Sequence, residues 1–197
     1  MAYDRADWHY GGDYPEDLPP ENGGTHIGMF LAWAIMNGLE GKFHREESPP
    51  SLAAVRARQL TGCQFLFKEC DEKFGNKDLS AEGNAFAKYY YDGTEGQGGP
   101  YFEDYESALV GDLPSMYHVE DSWQNYDKIA PVISQRFEEW NAKDDALPCA
   151  AANPALALRL RATRPVGRGR WKPFAFPSPR LQVPSSPRPS RDDVFDQ

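Results

Sequence analysis

Residues 25–39, Thr-His-Ile-Gly-Met-Phe-Leu-Ala-Trp-Ala-Ile-Met-Asn-Gly-Leu, carry no charged side chain. Apolar residues fall at 27, 30, 31, 34, 35 and 39, the three-and-four spacing of one helix face, and Met29, Trp33 and Met36 widen that face. A helix so nearly apolar all round must be buried on most sides, with the other elements packed about it. At about 15 residues it would be roughly 22 Å long, short for a bilayer span. Thr25 is the expected N-cap, and Gly38 and Gly41 suit a C-terminal stop.

The charge distribution divides the 197 residues in two. Residues 1–145 hold 12 Lys and Arg against 27 Asp and Glu, a net of −15. Residues 146–197 hold 9 against 3, a net of +6, which restores the overall −9, and carry 9 of the 17 prolines. The expected organisation is a compact acidic domain over residues 1–143 and a disordered Pro/Arg/Ala-rich tail over 144–197. The tail resembles out-of-frame translation of a GC-rich sequence, as a frameshift produces; a genuine basic tail docking on an acidic surface is the rival explanation. An acidic body argues against nucleic acid as its direct ligand and suits a basic protein partner, or simply solubility. With no signal-peptide pattern and no apolar run of membrane length, the expected location is the cytoplasm, with no membrane association. Cys63, Cys70 and Cys149 are odd in number and lack a CxxC, and read as buried, reduced thiols.

Around the central helix the pattern is mainly α. Residues 1–24 combine Trp8, Tyr10 and Tyr14 with Gly-Gly and Pro-Pro pairs, an irregular aromatic arm laid on the helical core. Gly41 to Pro50 reads as a polar connection. Ser51 is placed as the cap of a helix over Leu52 to Gln59, and Thr61 with Gln64 forms a capping box into Phe65–Cys70. Lys73 to Lys77 reads as a turn. Ser80 caps a helix from Ala81 to Tyr91, and on it Tyr89, Tyr90 and Tyr91 cannot all face inward. A short helix is expected over Tyr101 to Val110, and a last one from Trp123, capped by Ser122, with a kink or a fresh first turn at Pro131. Strand signals are scarce.

The candidate chemistry is sparse. His9, His26 and His118, with Asp13 or Asp121, could bind a divalent metal or serve as an acid/base set, but no HExxH, paired-histidine or CxxC spacing supports it. No GxSxG and no P-loop is present. No cofactor and no metal is therefore assigned. The feature favoured for function is the mixture of acids and aromatics in the arm, Asp7, Trp8, Tyr10, Asp13 and Tyr14, joined by His9, His26, His118 and Asp121 as candidate binding residues. Aromatics supply contact area, and carboxylates supply steering and Arg pairing to a basic partner. The competing view is that the arm merely covers the core.

Asp7-Trp8-His9-Tyr10-Gly11-Gly12-Asp13, Leu18-Pro19, Thr25 to Ala34, Glu82-Gly83-Asn84-Ala85-Phe86 and Tyr117-His118-Val119 resemble, in order and spacing, a family of small acidic bacterial proteins classed as a domain of unknown function. The resemblance covers roughly residues 3–141 and implies no catalytic residue or cofactor. In general look such proteins are similar to the immunity proteins of bacterial toxin systems. The leading expectation is an immunity-type binding protein that neutralises a basic toxin domain through its acidic aromatic surface. The alternative is a metal-dependent or acid/base enzyme using His9, His26 and His118, which convergence of those histidines in one cleft would favour. Composition leaves the oligomeric state open.

Overall fold

A computed structural model describes residues 2–10, 14–93 and 98–146, the side chains of 144–146 excepted. Of the tail expected over 144–197, residues 144–146 instead end the last helix, and the remainder, with Cys149, lies outside the described residues, as does Asp13. The body is mainly α: seven α-helices and one two-stranded sheet among the described residues.

Helix α1 spans Thr25–Met36, and every residue from Thr25 to Ile35 is buried, as the charge-free run requires. It ends where expected, at Gly38, whose φ of 73° lies in the left-handed region that a side chain disfavours. Its start differs from expectation. A 3-10 turn over Pro20–Gly24 runs straight into the helix, so Gly24 holds the cap position and Thr25 is already helical. The Thr25 hydroxyl caps nothing.

Helix α4, Gly62–Glu69, crosses α1 at van der Waals contact between backbones. A Cβ on Gly28 would stand 2.2 Å from the Cys63 nitrogen, and one on Gly62 would stand 1.9 Å from the Gly28 oxygen. Each glycine is required because the other helix occupies the space. The Thr61–Gln64 capping box forms as expected, with Gln64 N–H donating to Thr61 Oγ1 at 3.1 Å and Thr61 N–H to Gln64 Oε1 at 3.0 Å.

On the other faces of α1 lie α7 (Trp123–Ala146) and two aromatic segments. Trp33 Nε1 donates to Ser134 Oγ at 2.9 Å. Phe30 packs against Phe86 of α5 (Ala81–Ala87) and against Tyr91, with ring centroids 6.1 and 5.1 Å away. Helix α7 runs on through Pro131, so no fresh first turn begins there.

Several local expectations are corrected. The polar connection 41–50 contains helix α2, Lys42–Glu47, whose His44 is buried. Helix α3 starts at Pro49 and ends at Arg56, led by Ser48 rather than Ser51; the Ser51 hydroxyl donates to Glu69 Oε1 at 2.5 Å. The arm is not wholly irregular, and 73–77 is not merely a turn: β1 (Ala2–Arg5) pairs antiparallel with β2 (Lys73–Gly75), which is followed by a 3-10 turn. The helix expected to reach Tyr91 is α-helical only to Ala87, then continues as a π-helical turn, Lys88–Asp92. Likewise α6 (Pro100–Tyr105) passes into a π turn, Glu106–Val110. Of the three consecutive tyrosines, Tyr90 and Tyr91 are buried and Tyr89 is exposed.

Candidate functional site

The pairing of β1 with β2 inserts Asp4 into the body, where it is 6% exposed. A carboxylate removed from water needs several donors, and Asp4 has four. Oδ1 accepts from Arg5 N–H at 2.7 Å and faces His9 Nε2 at 3.0 Å. Oδ2 accepts from the Tyr91 hydroxyl at 2.7 Å and faces His26 Nε2 at 3.1 Å. Four separate elements supply these groups. His9 follows the 3-10 turn Ala6–Trp8, His26 lies in the first turn of α1, Tyr91 is on the Lys88–Asp92 π turn, and Asp4 is on the strand. Single π turns recur at functional sites because the extra residue re-aims the side chains around it.

The two imidazoles meet edge to face, centroids 4.6 Å apart. His26 is held further by its own backbone, whose carbonyl accepts from the Tyr101 hydroxyl at 2.6 Å. His9 Nδ1 lies 3.0 Å from the Tyr117 hydroxyl. One oxygen or nitrogen from each of Asp4, His9 and His26 lies within 4.8 Å of the other two. Tyr3, Trp8, Tyr91 and Phe102 join Asp4 and His9 around an open cleft of about 290 Å³.

The electrostatics follow from burial and contact. Desolvation works to raise the Asp4 carboxyl, but the hydrogen bonds and charges of His26 and His9 outweigh it and hold the group well below the usual carboxylate range. His26 goes the other way: burial lowers its imidazole, and contact with Asp4 offsets only part of that. The neutral imidazole is therefore favoured at His26. Tyr91 and Tyr117 are both raised, chiefly by burial and further by the Asp4 charge, and remain phenols.

The other candidate residues lie elsewhere or play smaller parts. His118 does not join the group; its Nδ1 pairs with Ser115 Oγ at 2.9 Å, and its neighbour Tyr117 makes the contact to His9 instead. Asp121 accepts from Thr61 Oγ1 at 2.5 Å, at the N-terminus of α4. Asp7 is paired with Arg5. Tyr10 reaches Glu72 at 3.3 Å and ties the arm to the body, while Tyr14 donates to the Pro19 carbonyl within the arm at 2.6 Å and packs against Tyr117, centroids 4.9 Å apart. Trp8 alone of the arm's aromatics is largely exposed, at 60%. Asp4, Tyr91 and Tyr117 were not among the residues singled out from the sequence. Asp4 is one of several acids in the arm, and no local spacing marks the other two.

A second constellation was not anticipated. His44 Nε2 lies 2.8 Å from Asp78 Oδ1 and 3.6 Å from Cys70 Sγ, with all three side chains fully enclosed. Burial pushes the Cys70 thiol up. Asp78 also accepts Gly75 N–H at 2.7 Å, so the set ties α2 to the segment following β2. All three are buried, whereas Asp4 and His9 form part of a cleft wall.

No helix among the described residues is long and apolar enough to cross a membrane. No curated protein and no solved structure matches the chain. Asp4, His9, His26, Tyr91 and Tyr117 all fall within residues 2–119, the span matched by a protein-family model, and on that match the chain belongs to the family described as Domain of unknown function (DUF7832).

Proposed function

We propose that the chain is a metal-binding domain in which Asp4, His9 and His26 hold a divalent transition-metal ion at the wall of the aromatic cleft. The observation that carries this is the convergence of two imidazole nitrogens and one carboxylate within 4.8 Å, brought together from three separate elements. Two nitrogens and an oxygen suit zinc, manganese, iron, cobalt or nickel, and three protein ligands leave coordination positions open to the cleft. Such an ion polarises a carbonyl or phosphoryl oxygen or activates a bound water.

The surrounding groups support the assignment. A metal-bound imidazole needs its second nitrogen fixed by an outer partner, and the Tyr117 hydroxyl stands at His9 Nδ1. Nε2 of each histidine faces Asp4, and the Tyr117 hydroxyl faces His9 Nδ1. Ligation at Nε2 would leave the ring proton of His9 on Nδ1, where the Tyr117 hydroxyl would accept it, since a hydroxyl both donates and accepts. The preference of His26 for its neutral form is the state a ligand requires.

The test is elemental analysis after chelator stripping and dialysis against zinc, manganese, cobalt or nickel. About one ion per chain is expected in wild type and none in His9→Ala or His26→Ala, while His118→Ala keeps it. If wild type retains no metal, the four donors serve only to satisfy a buried carboxylate and the proposal fails.

A second reading is the immunity-type binding protein, cytoplasmic and directed at a basic toxin domain rather than nucleic acid or membrane. It is favoured by Trp8, exposed on the arm with Arg5 5.7 Å from its ring centroid, and by the net −15 of residues 1–145. A pull-down from the native host tests it. Retention of a co-encoded basic domain, lost in Trp8→Ala, supports it; no such partner, and no toxin sensitivity on deleting the gene, ends it.

A further inference from the structure

On the side of α1 that faces α4, a second cleft of about 330 Å³ opens between the Pro20–Gly24 turn, α4 and Asp121. Neither Asp4, His9 nor His26 lines it. Two of its polar groups have unmet bonding capacity. The Thr25 hydroxyl is buried beside the Cys63 sulfur and has no hydrogen-bond partner of ordinary geometry. A threonine inside a helix commonly bonds back to the carbonyl four residues earlier. Thr25 makes no such bond, although Glu21 O accepts from the Cys63 thiol at 3.3 Å, and its oxygen is left unsatisfied beside the cleft.

Asp121 is the other. Its Oδ2 accepts from Thr61 Oγ1 at 2.5 Å, while Oδ1 has no hydrogen bond and the carboxylate has no cationic partner among the described residues. Partial burial, with Glu120 adding to it, pushes the carboxyl up. Phe67 and the Cys63 sulfur form the apolar part of the wall.

We propose that this cleft is a receptor for a primary alkylammonium group, with Asp121 Oδ1 as its ionic partner, Thr25 Oγ1 as a second acceptor and Phe67 against its alkyl stem. The half-buried carboxylate, with Oδ1 free of hydrogen bonds, favours a cation, and the unsatisfied hydroxyl favours a hydrogen-bond donor. An ammonium fits better than a guanidinium. A guanidinium seeks both carboxylate oxygens in a fork, and Thr61 already occupies one; an ammonium places three hydrogens on separately positioned acceptors. An aromatic ring beside the stem adds cation–π and apolar contact. The chemistry is shared by a free amine and a lysine side chain.

Amide-resolved NMR of the full chain, titrated with cadaverine, with Nα-acetyl-lysine methylamide and with neutral 1-pentanol, tests the proposal. Saturable shifts confined to Thr25, Cys63, Gln64 and Asp121 are expected with the amines and not with the alcohol. Asp121→Asn, with an otherwise unchanged spectrum, should bind at least about tenfold more weakly, the loss of a charge-assisted contact; Thr25→Val, at a buried position, gives the independent second variant and should weaken binding several-fold. Saturation by cadaverine identifies a free amine as a sufficient ligand, whereas saturation by the capped lysine alone assigns the cleft to a protein side chain. Absence of saturable shifts with either amine, an equal response to pentanol, or an Asp121→Asn variant that binds as wild type does would overturn it. Metal loading at Asp4 does not enter any of these outcomes.

Discussion

The Tyr91 hydroxyl donates to Oδ2 of Asp4 at 2.7 Å, joining residues 87 apart in sequence. It pins the N-terminal strand to the π turn that follows α5, and it is one of four contacts that keep a charged carboxylate inside the body. Tyr91→Phe leaves the ring packing in place and removes only that donor. A hydrogen bond to a charged group contributes about 1.5–3 kcal/mol, and urea unfolding of the variant should show a loss in that range with an unchanged m-value. A loss below about 0.5 kcal/mol would mean that Asp4 does not depend on Tyr91.

Acid should weaken the fold in two stages. Burial holds His26 below the ordinary histidine value of about 6.5, so the native state favours the neutral ring. Its contribution is present above that unfolded value and is lost as pH falls below it. Asp4 is held below the ordinary carboxylate value of about 3.9, so its contribution is present above that value and is lost only in stronger acid. Denaturant unfolding between pH 8 and pH 3 should therefore show a decline beginning near pH 6.5 that His26→Gln flattens. A variant profile that superimposes on wild type between pH 7 and pH 5 would contradict this.

The crossing of α1 and α4 should tolerate no side chain at Gly28. A methyl group there meets backbone, which no rotamer change relieves, so Gly28→Ala should cost about 3 kcal/mol or more, the upper end of overpacking effects. Gly38→Ala meets nothing within 4 Å and bears only the strain of its positive φ, about 1–2 kcal/mol. Equal destabilisation of the two variants in thermal unfolding would argue against the close contact.

Tyr117→Phe tests the outer shell of the metal site. Removal of the group that orients a ligating histidine costs roughly 10- to 100-fold in metal affinity. Calorimetric titration should show that weakening in Tyr117→Phe and none in Ser115→Ala, which touches only His118. Identical affinities in wild type and Tyr117→Phe would remove Tyr117 from the site.

The central helix was legible because freedom from charge over 25–39 leaves burial as the only outcome, and the Thr61–Gln64 and Ser80 caps were legible because their chemistry is local. The sheet was not. Its strands are four and three residues long, rich in charge, and separated by more than 65 residues, so neither carries an alternating pattern that stands out. The same blindness hid half of the site. His9 and His26 were marked by residue type alone, but their carboxylate was sought in Asp13 or Asp121. Asp4 becomes the partner only through the pairing of β1 with β2, a long-range event that no spacing along the chain encodes. Tyr91 is aimed by a π turn, and sequence periodicity assumes a regular helix there. Tyr117, rather than His118, faces His9 because the 3-10 turn Met116–His118 fixes which of two adjacent side chains points inward.

The most direct measurement of the metal proposal is a crystal structure of zinc-soaked protein with anomalous data collected at the zinc edge. A peak about 2.0–2.2 Å from His9 Nε2, His26 Nε2 and an Asp4 oxygen is expected, with density for a further ligand on the cleft side. Absence of a peak between these three residues, with Asp4 still hydrogen-bonded to both imidazoles, would contradict the proposal and leave the cluster as a structural network.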